Sequence, residues 1–221
     1  MAGPVLRRSR RRAATVLALA LLAAGVSRAQ EVIDRIVARI DNDVLLLSDV
    51  RLLSAYQLLV DGRSESDAEI LDRLIDQWIV RSEANAARTP PPNDADIERG
   101  LGRLRQAFDS GQEYESRRKL SGLSEADIRR ITADQVFLNN YLDSRFRPTV
   151  QVDEPAIREF YERTVVPRAQ ARGTAPPTLE AARDFIQEAL VQRGINQQAD
   201  LWLKESHARL RVTKMLEEAG R

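Results

Sequence analysis

A strand–turn–strand pattern near the start of the chain limits what the rest of it can fold into. The apolar run Val32–Ile40 predicts one strand and Val44–Leu47 predicts a second. Between them, Asp41-Asn42-Asp43 supplies the residue types that tolerate the left-handed backbone of a tight turn. A two-stranded hairpin is only marginally stable alone. The pattern therefore requires a third strand or a helical cover from elsewhere in the chain.

Helices are predicted over most of the remaining sequence. Ser48 and Asp49 predict an N-cap and an acidic first turn for a helix that runs to about Leu59. The clearest apolar stripe follows in a helix predicted from Asp67 to Ala87, where it consists of Ile70, Leu71, Leu74, Ile75, Trp78 and Ile79. This stripe is typical of a core helix, and Pro90-Pro91-Pro92 ends it.

Shorter and less regular helices are predicted after the prolines. Their approximate ranges are 93–109, 114–120, 124–146 and one that starts at 153, and Gly100 and Gly102 weaken the first of them. Ser124 and Asp127 fit a capping box with aspartate in place of glutamate. Thr178 caps a long helix that is predicted to continue through Gly194 to about Ala208.

The last segment supplies a partner for the hairpin. Leu210–Met215 alternates apolar and polar residues, which is typical of a half-buried strand. We therefore predict a mainly α fold, in which an N-terminal hairpin and a C-terminal strand form a small antiparallel sheet.

The first 29 residues have the pattern of a cleaved export signal. Five arginines between Arg7 and Arg12 precede an uncharged stretch from Ala13 to Val26, and Ser27 and Ala29 fit the small-residue cleavage positions. Fourteen residues are short of the roughly 20 needed to span a bilayer. An uncleaved anchor is the alternative. We expect a periplasmic protein with no stable membrane anchor after cleavage.

Charge and cysteine content narrow the classes of partner. The first 29 residues hold six of the 34 basic residues and none of the 33 acidic ones, so the remainder carries a net charge of −5. A mildly acidic surface argues against nucleic acid, because phosphate binding needs a concentrated basic face. The chain has no cysteine, which excludes disulfides.

Residues for catalysis and metal binding are scarce in the sequence. His207 is the only histidine and the chain has no cysteine, so a zinc site built from Cys and His side chains is excluded. Asp41-Asn42-Asp43 begins like a calcium loop but lacks the glycine at its sixth position, and Gly100 and Gly102 follow no strand. We therefore predict no cofactor, no metal and no catalytic residue.

What remains is a set of amphipathic helices with incomplete apolar faces. The candidate surface for binding extended polypeptides is an apolar groove lined by Leu104, Phe108, Tyr114, Leu120 and Tyr141. Ordinary packing is the alternative interpretation of the three aromatic residues.

The order of these features resembles that of the SurA-type periplasmic chaperones and the related parvulin-containing foldases. The similarity is strongest over residues 31–82, in the segment Ile36–Val50 and in the helix centre Leu71–Val80. The resemblance implies a chaperone module over residues 30–150, closed by residues 178–221. Family members carry a parvulin prolyl-isomerase domain between these parts, whereas only the 27 residues 151–177, a helix and a linker, lie there in this chain.

Twenty-seven residues are fewer than the roughly 50 of a small domain. The resemblance therefore implies the chaperone part alone, without isomerase activity. We expect an ATP-independent holdase that binds unfolded outer-membrane or secreted polypeptides. A non-catalytic structural or adaptor subunit of an envelope complex is the alternative, followed by a prolyl isomerase with a degenerate site.

Overall fold

The structure, a computed structural model, describes residues 34–216. The predicted export signal, residues 1–29, lies outside this range, as do Val32 and Ile33 of the first predicted strand. The described residues form a mainly helical fold with a small three-stranded antiparallel sheet, which confirms the predicted fold class. The strands are β1 (Ile36–Ile40), β2 (Asp43–Leu46) and β3 (Val212–Lys214).

The helices fill the chain between β2 and β3. They are α1 (Leu47–Asp61), α2 (Asp67–Ala86), α3 (Asp94–Gln106), α4 (Gly111–Ser121), α5 (Glu125–Phe146), α6 (Glu154–Phe160), α7 (Val166–Ala171) and α8 (Leu179–His207). A 3₁₀ turn (Arg147–Thr149) follows α5, and a π-helical segment (Tyr161–Val165) joins α6 to α7.

The sheet joins the two ends of the described chain. Its strand order is β2-β1-β3, so β1 lies at the centre and β3 is the third strand that the hairpin requires. Hydrogen bonds continue past β3 at both ends, from Asp41 N to Arg211 O (3.1 Å) and from Met215 N to Val37 O (2.8 Å). Asp41 adopts the predicted left-handed conformation in the turn, with φ 50°. The predicted pairing is confirmed, although the strand is shorter than Leu210–Met215.

The start of α1 differs from the prediction. The helix begins at Leu47, so Leu47 is not part of the second strand and Ser48 is not the N-cap. The Leu47 amide donates to the carbonyl of Arg35 (2.8 Å), and the Asp49 carboxylate accepts from the Leu46 amide (2.9 Å). Because these two bonds satisfy the amides at the strand–helix junction, the helix starts two residues earlier than a Ser48 N-cap predicts.

The other caps follow the predictions. Ser124 and Asp127 exchange the reciprocal bonds of a capping box, and the Thr178 hydroxyl accepts from the Ala181 amide at the start of α8. Helix α8 runs unbroken through Gly194, as predicted.

Two glycines have a packing role. A Cβ on Gly194 would lie 2.5 Å from Val150 Cγ1, so a hydrogen atom at this position lets α8 approach the segment after α5. A Cβ on Gly100 would lie 2.7 Å from Thr132 Cγ2, where α3 crosses α5. The predicted weak point of α3 is therefore a close helix–helix contact.

Buried residues form three clusters. The first joins the sheet to α2, α5 and α8 around Ile40, Ile75 and Ile195. The second joins α1, α3, α4 and α5 around Leu59 and Ile128. The third lies between the segment 151–177 and the first half of α8, so the apolar residues of this segment pack against α8 separately from the other two clusters.

Candidate functional site

The structure brings together three of the five predicted groove residues. Leu104, Phe108 and Tyr114 pack in the second cluster, where the rings of Phe108 and Tyr114 meet edge to face with centroids 5.3 Å apart. Tyr114 is buried, and its hydroxyl donates to Glu125 Oε1 (3.3 Å). Burial also raises the pKa of Tyr114. For this tyrosine, the packing interpretation is the one that fits its position.

The remaining two predicted residues lie apart from these. Tyr141 is buried in the first cluster against Trp202, and its hydroxyl accepts from Arg145 Nη1 (2.6 Å). Leu120 is 78% exposed near the end of α4. The five residues therefore do not line a common groove.

An accessible apolar depression lies instead between the hairpin and helices α1, α2 and α5. We call it the hairpin trough and define it by the residues that line it: Leu45, Asp49, Leu52, Leu53, Leu74, Gln77, Trp78, Arg81, Arg130, Ile131, Asp134, Gln135 and Leu138. Its volume is about 270 Å³. Since a cavity of about 150 Å³ holds a benzene molecule, the trough has room for one or two apolar side chains.

The floor of the trough comes from apolar residues that the core leaves half-covered. Leu52 and Leu53 come from α1, and Leu74 and Trp78, one turn apart on α2, face them. The indole Nε1 of Trp78 donates to Asp43 Oδ2 (3.0 Å), which ties α2 to the turn of the hairpin.

The sequence prediction placed Trp78 and Leu74 in the ordinary core. The sequence signal that they stay partly exposed is the width of the α2 stripe. Six apolar residues at adjacent helical positions cover more of the helix surface than one neighbouring element can bury.

The rim of the trough carries both signs of charge. Arg81 Nη1 lies 3.2 Å from Asp134 Oδ1, so this ion pair bridges α2 and α5, and both side chains remain partly exposed. Asp49 and Arg130 complete a rim of two acids and two bases. A balanced rim keeps the trough soluble but gives no net attraction for an anionic or cationic ligand.

The described residues provide little for chemistry at this site. His207 lies outside the trough, where its Nε2 is 2.6 Å from Asp76 Oδ1, and it links α8 to α2. Within residues 34–216 no group of three or more His, Asp or Glu side chains could hold a metal ion. None of the helices in the same range combines the length and the apolar character that crossing a membrane requires.

The fold and the trough define a class of protein: a mainly helical module, closed by a sheet from both ends of the described chain, with an open apolar depression. No protein-family model matches the chain, and no curated protein matches it. The SurA-type resemblance rests on the sequence alone and stays a prediction.

Proposed function

We propose that this protein is an exported, ATP-independent holdase that binds extended segments of unfolded polypeptides in the periplasm. The hairpin trough carries the proposal, because it combines a half-exposed apolar floor with a rim of balanced charge. Clients of this kind are outer-membrane and secreted proteins before they fold. The unpaired strands of these clients aggregate by edge-to-edge pairing. A client segment bound to the holdase is not free to pair, so binding delays aggregation.

The size of the trough fits weak and reversible binding. Burying one or two large apolar side chains contributes roughly 1.5–3 kcal/mol each. The entropy cost of association, at least about 4 kcal/mol, offsets most of this gain, so a single segment in the trough binds no more tightly than about millimolar. A client held this weakly dissociates without ATP. Protection therefore requires stoichiometric rather than catalytic amounts of the protein.

Features of the sequence support the same proposal. The predicted export signal, the absence of cysteine and the SurA-type resemblance over residues 31–82 all suit a periplasmic chaperone. The mechanism needs no covalent step, and we propose that the protein is not an enzyme. A peptide assay that showed accelerated prolyl isomerisation would contradict this part of the proposal.

Light scattering of an unfolded β-barrel protein after dilution from urea tests the function. We expect the protein to suppress scattering when it is in molar excess over the client, and catalytic amounts to have no effect. The double variant Leu52→Gln/Leu74→Gln, in the trough, should lose most of this effect because both side chains contribute to the floor. The matched control Phe185→Gln/Leu201→Gln changes two exposed apolar residues of α8 outside the trough and should suppress scattering like the wild type.

Both double variants are first compared with the wild type by near-UV circular dichroism, so that loss of function is separated from loss of fold. No suppression by the wild type in large molar excess would refute the holdase proposal. Capture of one folded partner in place of many unfolded clients would favour the adaptor subunit instead.

A further inference from the structure

A second depression adjoins the hairpin trough, and six of the 13 residues that line it are carboxamides. It follows α5 as two pockets of about 430 and 310 Å³, which share Asn139 and Leu142 in their walls. We call it the carboxamide cleft. Its amide side chains come from three helices: Gln77 of α2; Gln135, Asn139 and Asn140 of α5; and Gln192 and Asn196 of α8.

Four of these amides, Asn139, Asn140, Gln192 and Asn196, are exposed, so water meets most of their hydrogen-bonding capacity and a polar ligand can replace it. In the 34–216 range, Gln77, Asn139 and Asn140 make no side-chain hydrogen bond to another residue. Gln135 Oε1 accepts from the Tyr56 hydroxyl (3.1 Å), and Gln192 Nε2 donates to Asn196 Oδ1 (3.3 Å). Each carboxamide has two N–H donors and an oxygen with two lone pairs. The cleft therefore presents several donors and acceptors side by side.

The charges of the cleft do not suit a charged ligand. Asp143 pairs with Arg147 (2.7 Å) and Asp76 with His207 (2.6 Å), and the one basic side chain in the walls is Arg103. Two acidic side chains and one basic one do not produce the positive electrostatic potential that phosphate or nucleic acid requires. The apolar part of the wall, formed by Val80, Leu138, Leu142 and Ile195, favours a ligand that has apolar groups as well as neutral polar ones.

We propose that the carboxamide cleft binds the main chain of an extended polypeptide segment, through hydrogen bonds between its amides and the peptide groups of the client. This inference rests on the proposed holdase function and specifies how the client is held. Every peptide group outside proline offers one N–H donor and one carbonyl acceptor, which is the complement of a carboxamide. Because all polypeptides share these groups, the cleft holds clients without regard to their sequence.

The length of the cleft sets the length of the bound segment. From Gln135 to Asp143 the axis of α5 advances about 12 Å, at 1.5 Å per residue. An extended chain rises about 3.3 Å per residue, so the cleft spans about four client residues. Gln77, Gln135 and Leu138 line the hairpin trough as well. A client held by its main chain in the cleft can therefore place a neighbouring apolar side chain in the trough.

A pair of short labelled peptides tests the proposal by fluorescence anisotropy with the full exported chain. One alternates valine and serine. Its counterpart replaces alternate amides by esters, which removes N–H donors without adding bulk. We expect the wild type to bind the amide peptide about tenfold more tightly than the ester peptide, from the loss of about two hydrogen bonds. The variant Asn139→Leu/Asn196→Leu should weaken binding of the amide peptide about tenfold and remove the preference.

Gln198→Leu is the matched control, since this exposed amide of α8 lines neither depression, and it should preserve the preference. Equal binding of the two peptides by the wild type would overturn the proposal, as would a preference that survives in the double variant. The wild-type comparison needs no substitution, so it is decisive even if the double variant does not fold.

The two proposals fail differently. If the wild type suppresses aggregation but binds both peptides equally, the cleft proposal alone is wrong. If it neither suppresses aggregation nor binds either peptide, the holdase proposal is wrong as well.

Discussion

Two glycines in one helix are expected to respond in opposite ways to the same substitution. Gly100 and Gly102 both lie inside α3. A Cβ on Gly100 would lie 2.7 Å from Thr132 Cγ2 and 3.2 Å from Val136 Cγ2, whereas a Cβ on Gly102 would meet nothing within 4 Å. Since the helical setting is shared, a comparison of the two alanine variants isolates the contact between α3 and α5.

The magnitude follows from two opposing contributions. Alanine is favoured over glycine in a helix interior by about 1 kcal/mol, so Gly102→Ala should raise the free energy of unfolding by about that amount. At Gly100 the same gain is opposed by an overpacking cost of about 1–3 kcal/mol, because Thr132 and Val136 are β-branched and cannot easily rotate away. With a cost of about 2 kcal/mol, Gly100→Ala should lower the free energy of unfolding by about 1 kcal/mol.

Urea unfolding followed by circular dichroism measures the difference. With a slope of about 2 kcal/mol per molar urea, the midpoints of the two variants should lie about 1 M apart. Adding Thr132→Ser to Gly100→Ala removes the nearest methyl group and should recover part of the loss. Equal stabilisation by both alanine substitutions would refute the inference that α3 and α5 are in close contact at Gly100.

Three further outcomes are expected. The Thr132 hydroxyl is buried and has no hydrogen-bond partner among the described residues. Thr132→Val should therefore raise the free energy of unfolding by about 1 kcal/mol in urea titrations. Thr149→Val loses a hydrogen bond to Phe146 O and should not raise the free energy of unfolding. Hydrogen bonds from Arg73 lower the pKa of Glu65 from 4.5 to about 2. Because the folded-state pKa is the lower one, the contribution of this pair to stability is complete above pH 4.5 and is lost as the pH falls towards 2. Arg73→Gln should therefore flatten the pH dependence of stability in that window, and an unchanged profile would contradict the assignment. Met215→Pro removes the amide that donates to Val37 O and should lower the free energy of unfolding by about 1–3 kcal/mol in thermal or urea unfolding. Met215→Ala keeps the bond and should lower it less. Equal losses of stability in the two variants would exclude a contribution from that bond.

Local signals were sufficient to predict most of the elements. Ser124 with Asp127, and Thr178 with the amide of Ala181, cap their helices through bonds between residues three apart, so the sequence determines them directly. The strand at Leu210–Met215 was predicted from its alternation. Its pairing with β1 followed because a lone hairpin needs a third strand. Where a tertiary bond intervenes, as between Leu47 and Arg35, the predicted helix start was two residues late.

The proposed binding surfaces could not be predicted from local sequence patterns. Tyr114 and Tyr141 lie on incomplete apolar faces in the sequence, yet neighbouring helices bury both. The hairpin trough exists because α1, α2, α5 and the hairpin meet incompletely, and its rim is closed by Arg81 and Asp134, which are 53 positions apart. The sequence by itself determined most of which residues are helical, which are extended and where most helices begin, because those choices depend largely on neighbours within one or two turns. Only the tertiary structure decided which apolar residues stay accessible, because exposure depends on how closely surfaces from distant parts of the chain fit together.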